Sequence, residues 1–281
     1  MGGRLDAVNM LDANVAIIST IDLDHEQWLG NNREDIAREK SGIFRAMRPS
    51  VCGDLNPPAA IREVAEIVGS NLYQAGIDFQ YKISGKTWSW QSGTRKYQML
   101  PVPGKADFQV QNAATILMAL NTMAENFPVS QEAILNGLAK FSMPGRFQVI
   151  YGEKTMVLDV AHNPQSAMIL RQNIAKYFNQ RRIIMVVAML MDKNHEKFIS
   201  ELIPCVDMLC LAGLDTDRGA SGEDLEKAIQ PADIDTEVVV FDRLHQAYTW
   251  SETTALPGDV VVITGSFITV GKAIEFFNIE Y

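Results

Sequence analysis

The fold is decided by the stretch Thr155-Met156-Val157-Leu158-Asp159-Val160-Ala161-His162-Asn163-Pro164, which runs from a buried strand into a helix. Asn163 is a favourable N-cap, and Pro164 suits the first helical position, where its missing N–H costs nothing. Asp159 and His162 then lie at the carboxyl end of a strand, the edge at which open α/β sheets bind ligands beside helix N-termini. A well-made helix start explains Asn163 and Pro164 by itself. For Asp159 and His162, a structural role and a functional role both stay open.

Apolar runs of strand length alternate with amphipathic stretches from residue 148 onward. Runs such as Ile183–Ala188 are apolar on both faces, which is typical of parallel strands covered by helices on both sides. Short connections between alternating elements imply right-handed crossovers, so we expect an open, mostly parallel sheet. The predicted strands are Thr155–Val160, Ile183–Met189, Met208–Ala212, Glu237–Phe241 and Val260–Thr264. The predicted helices are Gln165–Phe178, His195–Leu202, Gly222–Ile229, Leu244–Trp250 and Val270–Phe277.

The first half of the chain has a more mixed pattern. Polar and apolar residues alternate over Asp78–Leu100 around Ser92-Gly93-Thr94, which predicts antiparallel strands and a hairpin. The breaker Met143-Pro144-Gly145 predicts a boundary between a domain of residues 1–143 and a domain of residues 144–281. The other predicted elements are strands Val15–Ile21 and Ser50–Gly53 and helices Arg33–Gly42, Ala59–Val68, Asn112–Asn126 and Ser130–Lys140.

Composition and charge narrow the class of protein. The 281 residues include 34 Asp and Glu against 25 Lys and Arg, a formal net charge of -9. This balance argues against binding nucleic acid or an anionic membrane through the overall field, although it is compatible with a local basic pocket. Cys52, Cys205 and Cys210 form no CxxC pair, and neither a targeting signal nor an apolar stretch of membrane length is visible. We therefore expect a cytoplasmic protein with no nucleic-acid or membrane partner.

A second polar constellation follows the first predicted strand. The run Asp22-Leu23-Asp24-His25 offers two carboxylates and an imidazole, which suit a hard cation as well as they suit a polar turn with a surface histidine. Lys40, within Ala37-Arg38-Glu39-Lys40, is by itself a solvated helix lysine. Carbon dioxide would convert its amine into a carbamate and thereby into an oxygen ligand for a metal.

Several familiar motifs are missing from the sequence. The segment Gly265–Ala273 looks like a phosphate loop, but five residues separate its glycines and Ala273 stands where Ser or Thr should follow the lysine. We interpret it as a strand–turn–helix junction. No G-x-x-x-x-G-K-[ST], G-x-G-x-x-G, G-x-S-x-G or H-E-x-x-H motif occurs. The sequence therefore does not favour dinucleotide-dependent hydride transfer, an α/β-hydrolase or a zinc enzyme.

Taken together, several strings indicate a family. The whole chain resembles the bacterial bifunctional dihydrofolate synthase/folylpolyglutamate synthases of the Mur ligase superfamily. In chain order, the strings that carry the resemblance are Gly2–Ala7, Asp24-His25, Trp28-Leu29-Gly30, Ile36–Ile43, Gln111–Thr115, Pro144–Gln148, Asp159–Pro164, Met189–Lys193 and Gly265-Ser266-Phe267.

The resemblance implies an α/β protein with two domains. Residues 1–143 would be part of the central domain that binds ATP and folate, with a mixed sheet and helices. Residues 144–281 would be the Rossmann-like C-terminal domain with a mostly parallel sheet. The implied activity is ATP-dependent ligation of L-glutamate to dihydropteroate and to folates through an acyl phosphate, with Mg²⁺ and an optional monovalent cation. ATP would lie between the domains, and we expect a monomer when the protein is full length.

The resemblance also implies roles for individual residues. His25 and Lys40 resemble the metal-binding histidine and the lysine that is carbamylated in these ligases, so Lys40 is a catalytic candidate together with His162. Asn112, Arg146 and Asp159 resemble residues that contact the nucleotide. The implied pterin-side pocket consists of Gly3, Arg4, Leu5 and Asp6.

The chain also departs from the family pattern. Family members carry a glycine-rich phosphate loop and a metal-binding glutamate upstream of the Gly-Gly-Arg-Leu-Asp string, whereas this sequence starts at Met1-Gly2-Gly3. We therefore hypothesise an N-terminally truncated ligase with little activity by itself. Two alternatives stay open: a non-catalytic binding remnant of a ligase, and a ligase that adds amino acids to peptidoglycan precursors.

Overall fold

The computed structural model describes residues 2–22, 32–229 and 236–280. The chain divides into two compact units, Met1–Ser142 and Met143–Tyr281, each with its own buried core. This division lies next to the boundary predicted at residue 143. Among the described residues, no helix is both long enough and apolar enough to cross a membrane.

The first unit contains a parallel sheet. Its strands are β1 (Ala16–Ile18), β2 (Pro49–Cys52) and β3 (Asn71–Gln74), in the order β1-β2-β3. Helices α1 (Arg33–Lys40) and α2 (Ala59–Val68) pack against each other and contribute apolar side chains to one core with these strands. The predicted helix of α2 is confirmed with its bounds, and α1 ends two residues earlier than predicted. The sequence did not reveal β3, because two of its four residues are polar.

An antiparallel sheet completes the first unit. It consists of β4 (Gln80–Ser84), β5 (Thr87–Ser92) and β6 (Arg95–Pro101), so the predicted hairpin extends to three strands. The sheet packs against α3 (Asp107–Thr122) and α4 (Gln131–Ala139). Large aromatic side chains of the central strand fill this interface.

An ion pair between the buried Asp54 and the partly exposed Arg33 holds the carboxyl ends of β1 and β2 to the start of α1. The Asp54 carboxylate accepts hydrogen bonds from the N–H groups of Ile21 and Asn56, both at 2.9 Å, and from Arg33 Nη2 at 3.0 Å. Arg33 Nε donates in turn to the Ile21 carbonyl at 2.9 Å. A carboxylate that is 4% exposed is tolerated because each of its oxygens has a donor.

The second unit is built on a six-stranded sheet in the order β11-β10-β9-β12-β8-β7. All neighbouring strands are parallel except β7 and β8. The strands are β7 (Gln148–Ile150), β8 (Thr155–Leu158), β9 (Ile183–Val187), β10 (Met208–Ala212), β11 (Glu237–Phe241) and β12 (Val260–Thr264). The described helices are α5 (Pro164–Phe178), α6 (His195–Leu202), α7 (Gly222–Lys227), α8 (Leu244–Thr254) and α9 (Phe267–Phe276).

The predicted fold class is confirmed. Strands β9, β10 and β12 are buried at every residue, as expected for parallel strands covered on both faces. Every strand predicted for the second half forms with the same residues or ends at most two residues earlier. The antiparallel edge strand β7 was not predicted, because three residues show too little alternation.

The junction between β12 and α9 requires a glycine at residue 265. Gly265 has a φ of +112°, and a Cβ there would collide with the Ala188 carbonyl oxygen. Gly258 has a similar φ of +97°, but nothing lies within 4 Å of its Cβ position.

We predict that Gly265→Ala lowers the free energy of unfolding by about 3 kcal/mol, because it adds a backbone clash to the strain of a positive φ. Gly258→Ala is the matched control, and it should cost only about 1 kcal/mol. Urea unfolding of both variants measures the difference. Equal losses of unfolding free energy in the two variants would show that the backbone at Ala188 moves away from the added methyl group.

Candidate functional site

The loops that follow three strands of the second unit are joined at one edge of the sheet. The Gly265 N–H, after β12, donates to the Ala161 carbonyl, after β8, at 3.0 Å. The Ala188 N–H, after β9, donates to the Thr264 carbonyl at 3.3 Å. Because parallel strands end at the same edge, residues that are distant in sequence meet there.

Asp159 is buried at this edge and holds a turn against it. One of its oxygens accepts the Phe147 N–H at 2.8 Å, and the other accepts the Ala161 N–H at 2.9 Å. Phe147 has a φ of +48°, so this carboxylate stabilises a backbone conformation that phenylalanine rarely adopts. Burial raises the pKa of Asp159 to about 6, although the two N–H donors and the neighbouring Arg146 and His162 lower it. Because Asp159 holds the backbone of Phe147, the residue that follows Arg146, it positions Arg146.

Arg146 and His162 lie against one exposed aromatic ring. The Arg146 guanidinium carbon is 5.3 Å from the centre of the Phe267 ring, and the centre of the His162 ring is 6.0 Å from it. Phe267 is 60% exposed. The His162 Nδ1 lies 2.9 Å from the Val160 carbonyl. A carbonyl only accepts, so Nδ1 carries the proton and Nε2 is the acceptor in the neutral ring.

Two helices begin beside this cluster. Asn163 caps α5 by accepting the Ser166 N–H at 2.9 Å, and Pro164 is the first helical residue, which confirms the prediction for both. Ser266 caps α9 by accepting the Thr269 N–H at 2.9 Å, as the strand–turn–helix interpretation of this segment requires. The N-termini of both helices favour anions, and Arg146 adds a full positive charge.

In the first unit, the predicted pterin-side residues lie over the end of α1. The Arg4 N–H donates to the Glu39 carbonyl at 2.8 Å. The Arg4 guanidinium forms a forked pair with the Glu39 carboxylate at 3.1 and 3.2 Å. Gly3 has a φ of +90°, and a Cβ there would lie 2.7 Å from the Glu39 carbonyl oxygen, so only glycine allows this approach.

Asp6 and Leu5 have different environments in this segment. The Asp6 carboxylate accepts the N–H groups of Gly2 at 2.8 Å and Val8 at 3.1 Å. These two donors lower the pKa of Asp6. Leu5 is 68% exposed. Asp6 therefore shapes the segment, whereas Leu5 presents an apolar side chain to the solvent.

Lys40 is half-buried at the end of α1, under the same segment. A Cβ on Gly2 would lie 3.8 Å from the Lys40 Nζ. His25, the other predicted metal ligand, lies outside the described residues together with Asp24 and the Trp28-Leu29-Gly30 string. Within the described ranges, no three His, Cys, Asp or Glu side chains could hold a metal ion together.

Asn112 is exposed on α3, one residue after a side chain that anchors the helix. Gln111 Nε2 donates to the Gly53 carbonyl at 2.7 Å. A Cβ on Gly53 would collide with Thr115 Oγ1, so α3 packs directly on the carboxyl end of β2. The structure thus places Asn112 beside a strand end of the first unit.

Sequence reasoning missed three residues that organise these sites. Phe267 entered the sequence analysis only as part of the Gly265–Ala273 segment and of a family string, although an aromatic residue directly after a helix N-cap is a signal for a contact surface. Asp54 and Arg33 gave no signal, because their pairing joins residues that are 21 positions apart.

Comparisons with known proteins agree over nearly the whole chain. The family model "Mur ligase, glutamate ligase domain" matches residues 145–267. The dihydrofolate synthase/folylpolyglutamate synthase of Escherichia coli K12 is 36% identical over 278 residues, which are 99% of this chain and 63% of the relative. The structure of E. coli FolC in complex with DHPP and ADP matches with a TM-score of 0.92, 35% identity and coverage of 99% and 64%. The chain is thus similar over nearly its whole length to dihydrofolate synthase/folylpolyglutamate synthases.

The structure of a second relative is similar over the same part of the chain. The bifunctional enzyme of Yersinia pestis, complexed with AMPPNP and Mn ion, matches with a TM-score of 0.89 and 37% identity, and covers 99% of this chain and 65% of its own. The chain thus spans slightly less than two thirds of the length of these family members. The predicted truncation and the predicted low activity gain no support from the comparisons, and both stay hypotheses.

The raised pKa of Asp159 predicts a pH-dependent stability. An acid whose pKa rises from an ordinary value of 3.8 to about 6 on folding binds its proton more tightly in the folded protein. Its stabilising contribution is therefore complete below pH 3.8 and is lost as the pH rises through about 6.

We expect the wild type to lose on the order of 3 kcal/mol over this window relative to Asp159→Asn, which cannot titrate. Urea unfolding of both proteins at about pH 4 and about pH 7 measures the change. The variant also loses one acceptor, but that cost is the same at both values. Stability curves that run parallel with pH would contradict the prediction.

Proposed function

We propose that this chain takes part in the ATP-dependent ligation of L-glutamate to dihydropteroate and to folates. The relatives that support this proposal are named dihydrofolate synthase/folylpolyglutamate synthase. A solved relative holds DHPP and ADP, and another holds Mn, AMPPNP and L-glutamate. The cluster of Arg146, His162 and two helix N-termini carries the proposal within this chain, because it suits a phosphate-bearing ligand.

The reaction needs an activated carboxylate. A carboxylate oxygen attacks the γ-phosphorus of ATP, ADP leaves, and an acyl phosphate forms. The amine of L-glutamate then attacks the acyl carbon and loses a proton, and phosphate leaves as the amide forms. A divalent cation, when bound, offsets the charge that gathers on the phosphoryl group.

The second unit would hold the nucleotide and the incoming amine. Arg146 would contact the phosphates, in a position kept by the Asp159 clamp and the Phe267 ring. His162, with its Nδ1 proton held by the Val160 carbonyl, would use its acceptor nitrogen Nε2 to take the amine proton. Both roles belong to the proposal.

Residues of the first unit would bind the acid substrate, contact ATP and hold the metal. Gly3, Arg4, Leu5 and Asp6 would shape the pterin-side pocket, and Asn112 would contact ATP. Lys40, in its carbamylated form, and His25 would ligate the metal. We also propose a monomer in the cytoplasm, where free thiols such as those of Cys52, Cys205 and Cys210 persist.

A substrate panel tests this function. ADP release is measured with ATP, Mg²⁺ and L-glutamate in the presence of dihydropteroate, of a folate monoglutamate, or of a peptidoglycan precursor with its amino acid. ADP release only with pteroate-type acids supports the proposal. ADP release with the peptidoglycan precursor would favour the other ligase. Nucleotide binding without turnover, both in this chain and in a version extended to the length of its relatives, would favour a binding remnant.

We predict that Arg146→Ala weakens the binding of ADP by about tenfold to a hundredfold, because hydrogen bonds between ionised groups are the strong ones. Arg171→Ala is the matched control, since Arg171 is also half-buried and pairs with Glu201 at 3.2 Å. Calorimetric titration with ADP measures both variants. The same affinity in both would remove Arg146 from the nucleotide site.

A further inference from the structure

The antiparallel sheet of the first unit carries a segregated positive charge. The 28 residues 79–106 contain Lys82, Lys86, Arg95, Lys96 and Lys105, and they contain no Asp or Glu. The whole chain has 34 acidic and 25 basic side chains, so this segment opposes the charge of the rest. A basic patch of this kind attracts anions locally even when the net charge is negative.

The sheet separates its side chains into two faces. Trp90 lies opposite Tyr81 on β4 and Tyr97 on β6, and its Nε1 donates to the Ala114 carbonyl of α3 at 3.0 Å. The aromatic row therefore faces the helix. Since side chains alternate along a strand, the neighbours of this row face the solvent.

The solvent face is polar and basic. Gln91 pairs with Gln80 on one side and with Lys96 on the other, and Lys82 pairs with Ser89. These residues, Gln98 and the aromatic row of Tyr81, Trp90 and Tyr97 line a depression of about 210 Å³, which no acidic side chain borders. Within the described part of the chain, neither Lys82 nor Lys96 has an ion-pair partner.

The side chains of this face favour a ligand that carries carboxylates. Lysine ammonium and glutamine amide groups both donate hydrogen bonds to carboxylate oxygens. Strands β4 and β6 are two spacings apart, about 10 Å. Because Lys82 and Lys96 lie on these two outer strands, an acidic chain that repeats its carboxylates is long enough to contact both. Trp88 and Trp90 are 1% exposed, so neither indole is available as a platform on which nucleic-acid bases stack.

We propose that the solvent face of the β4–β6 sheet, centred on Lys82 and Lys96, binds an oligo-γ-glutamate chain. Such a chain is the acidic tail of a polyglutamylated folate, so the identity of the ligand rests on the proposed function. The face holds the tail through charge and amide contacts, and it takes no part in bond formation.

Binding of a fluorescein-labelled γ-hexaglutamate, measured by anisotropy without ATP, tests the proposal. The wild type binds the probe, and Lys82→Gln/Lys96→Gln weakens binding by about tenfold, since two ionic contacts are lost. The matched control is Lys140→Gln/Lys197→Gln, two exposed lysines outside the sheet, and it binds like the wild type. All four replaced lysines are exposed, so unchanged thermal unfolding midpoints verify that the variants fold.

Three results would overturn the proposal: no binding by the wild type, equal weakening in both double variants, or tighter binding of an oligothymidylate of the same charge at the same lysines. The substrate panel that tests the proposed function shows whether a negative result concerns this binding site or the ligase activity. Turnover without hexaglutamate binding refutes the proposed oligoglutamate site alone. Hexaglutamate binding by a chain that neither binds ADP nor shows turnover refutes the ligase proposal alone.

Discussion

The buried carboxylate of Asp159 is the interaction on which the candidate nucleotide site depends. It accepts one N–H from the loop after β8 and another from the turn that carries Arg146. Without a charged acceptor there, Phe147 would have no compensation for its left-handed backbone. Burial raises the pKa of Asp159, and the same buried carboxylate holds the turn that places the Arg146 guanidinium beside the exposed Phe267 ring.

The first unit uses the same device. Asp54 follows β2 as Asp159 follows β8, and it also accepts two backbone N–H groups next to an arginine. In both units a buried acid after a parallel strand fixes the loops at the carboxyl edge, where flexible backbone would otherwise have unsatisfied donors. Ligand-binding loops of α/β proteins need this rigidity, because their backbone amides act only when they are held in place.

Charge is distributed unequally over the molecule. The acidic surface expected from the composition would repel a polyanion, yet the solvent face of the β4–β6 sheet concentrates lysines and glutamines without any acid. Under the proposed function, the product would become more negative with each glutamate that is added, and a basic face would attract its acidic tail.

The sequence by itself determined the order of elements in the second unit, because doubly buried strands such as β9 and capped helices such as α5 carry their signals locally. It also indicated the resemblance to dihydrofolate synthase/folylpolyglutamate synthases, through strings that include Arg146, Asp159 and His162. Only the tertiary structure decided that Asp159 holds the Arg146 turn, that Arg146 and His162 both lie near the Phe267 ring, and that Arg33 pairs with Asp54. These contacts join residues that are distant along the chain, and no local pattern encodes which distant partner will satisfy a buried charge.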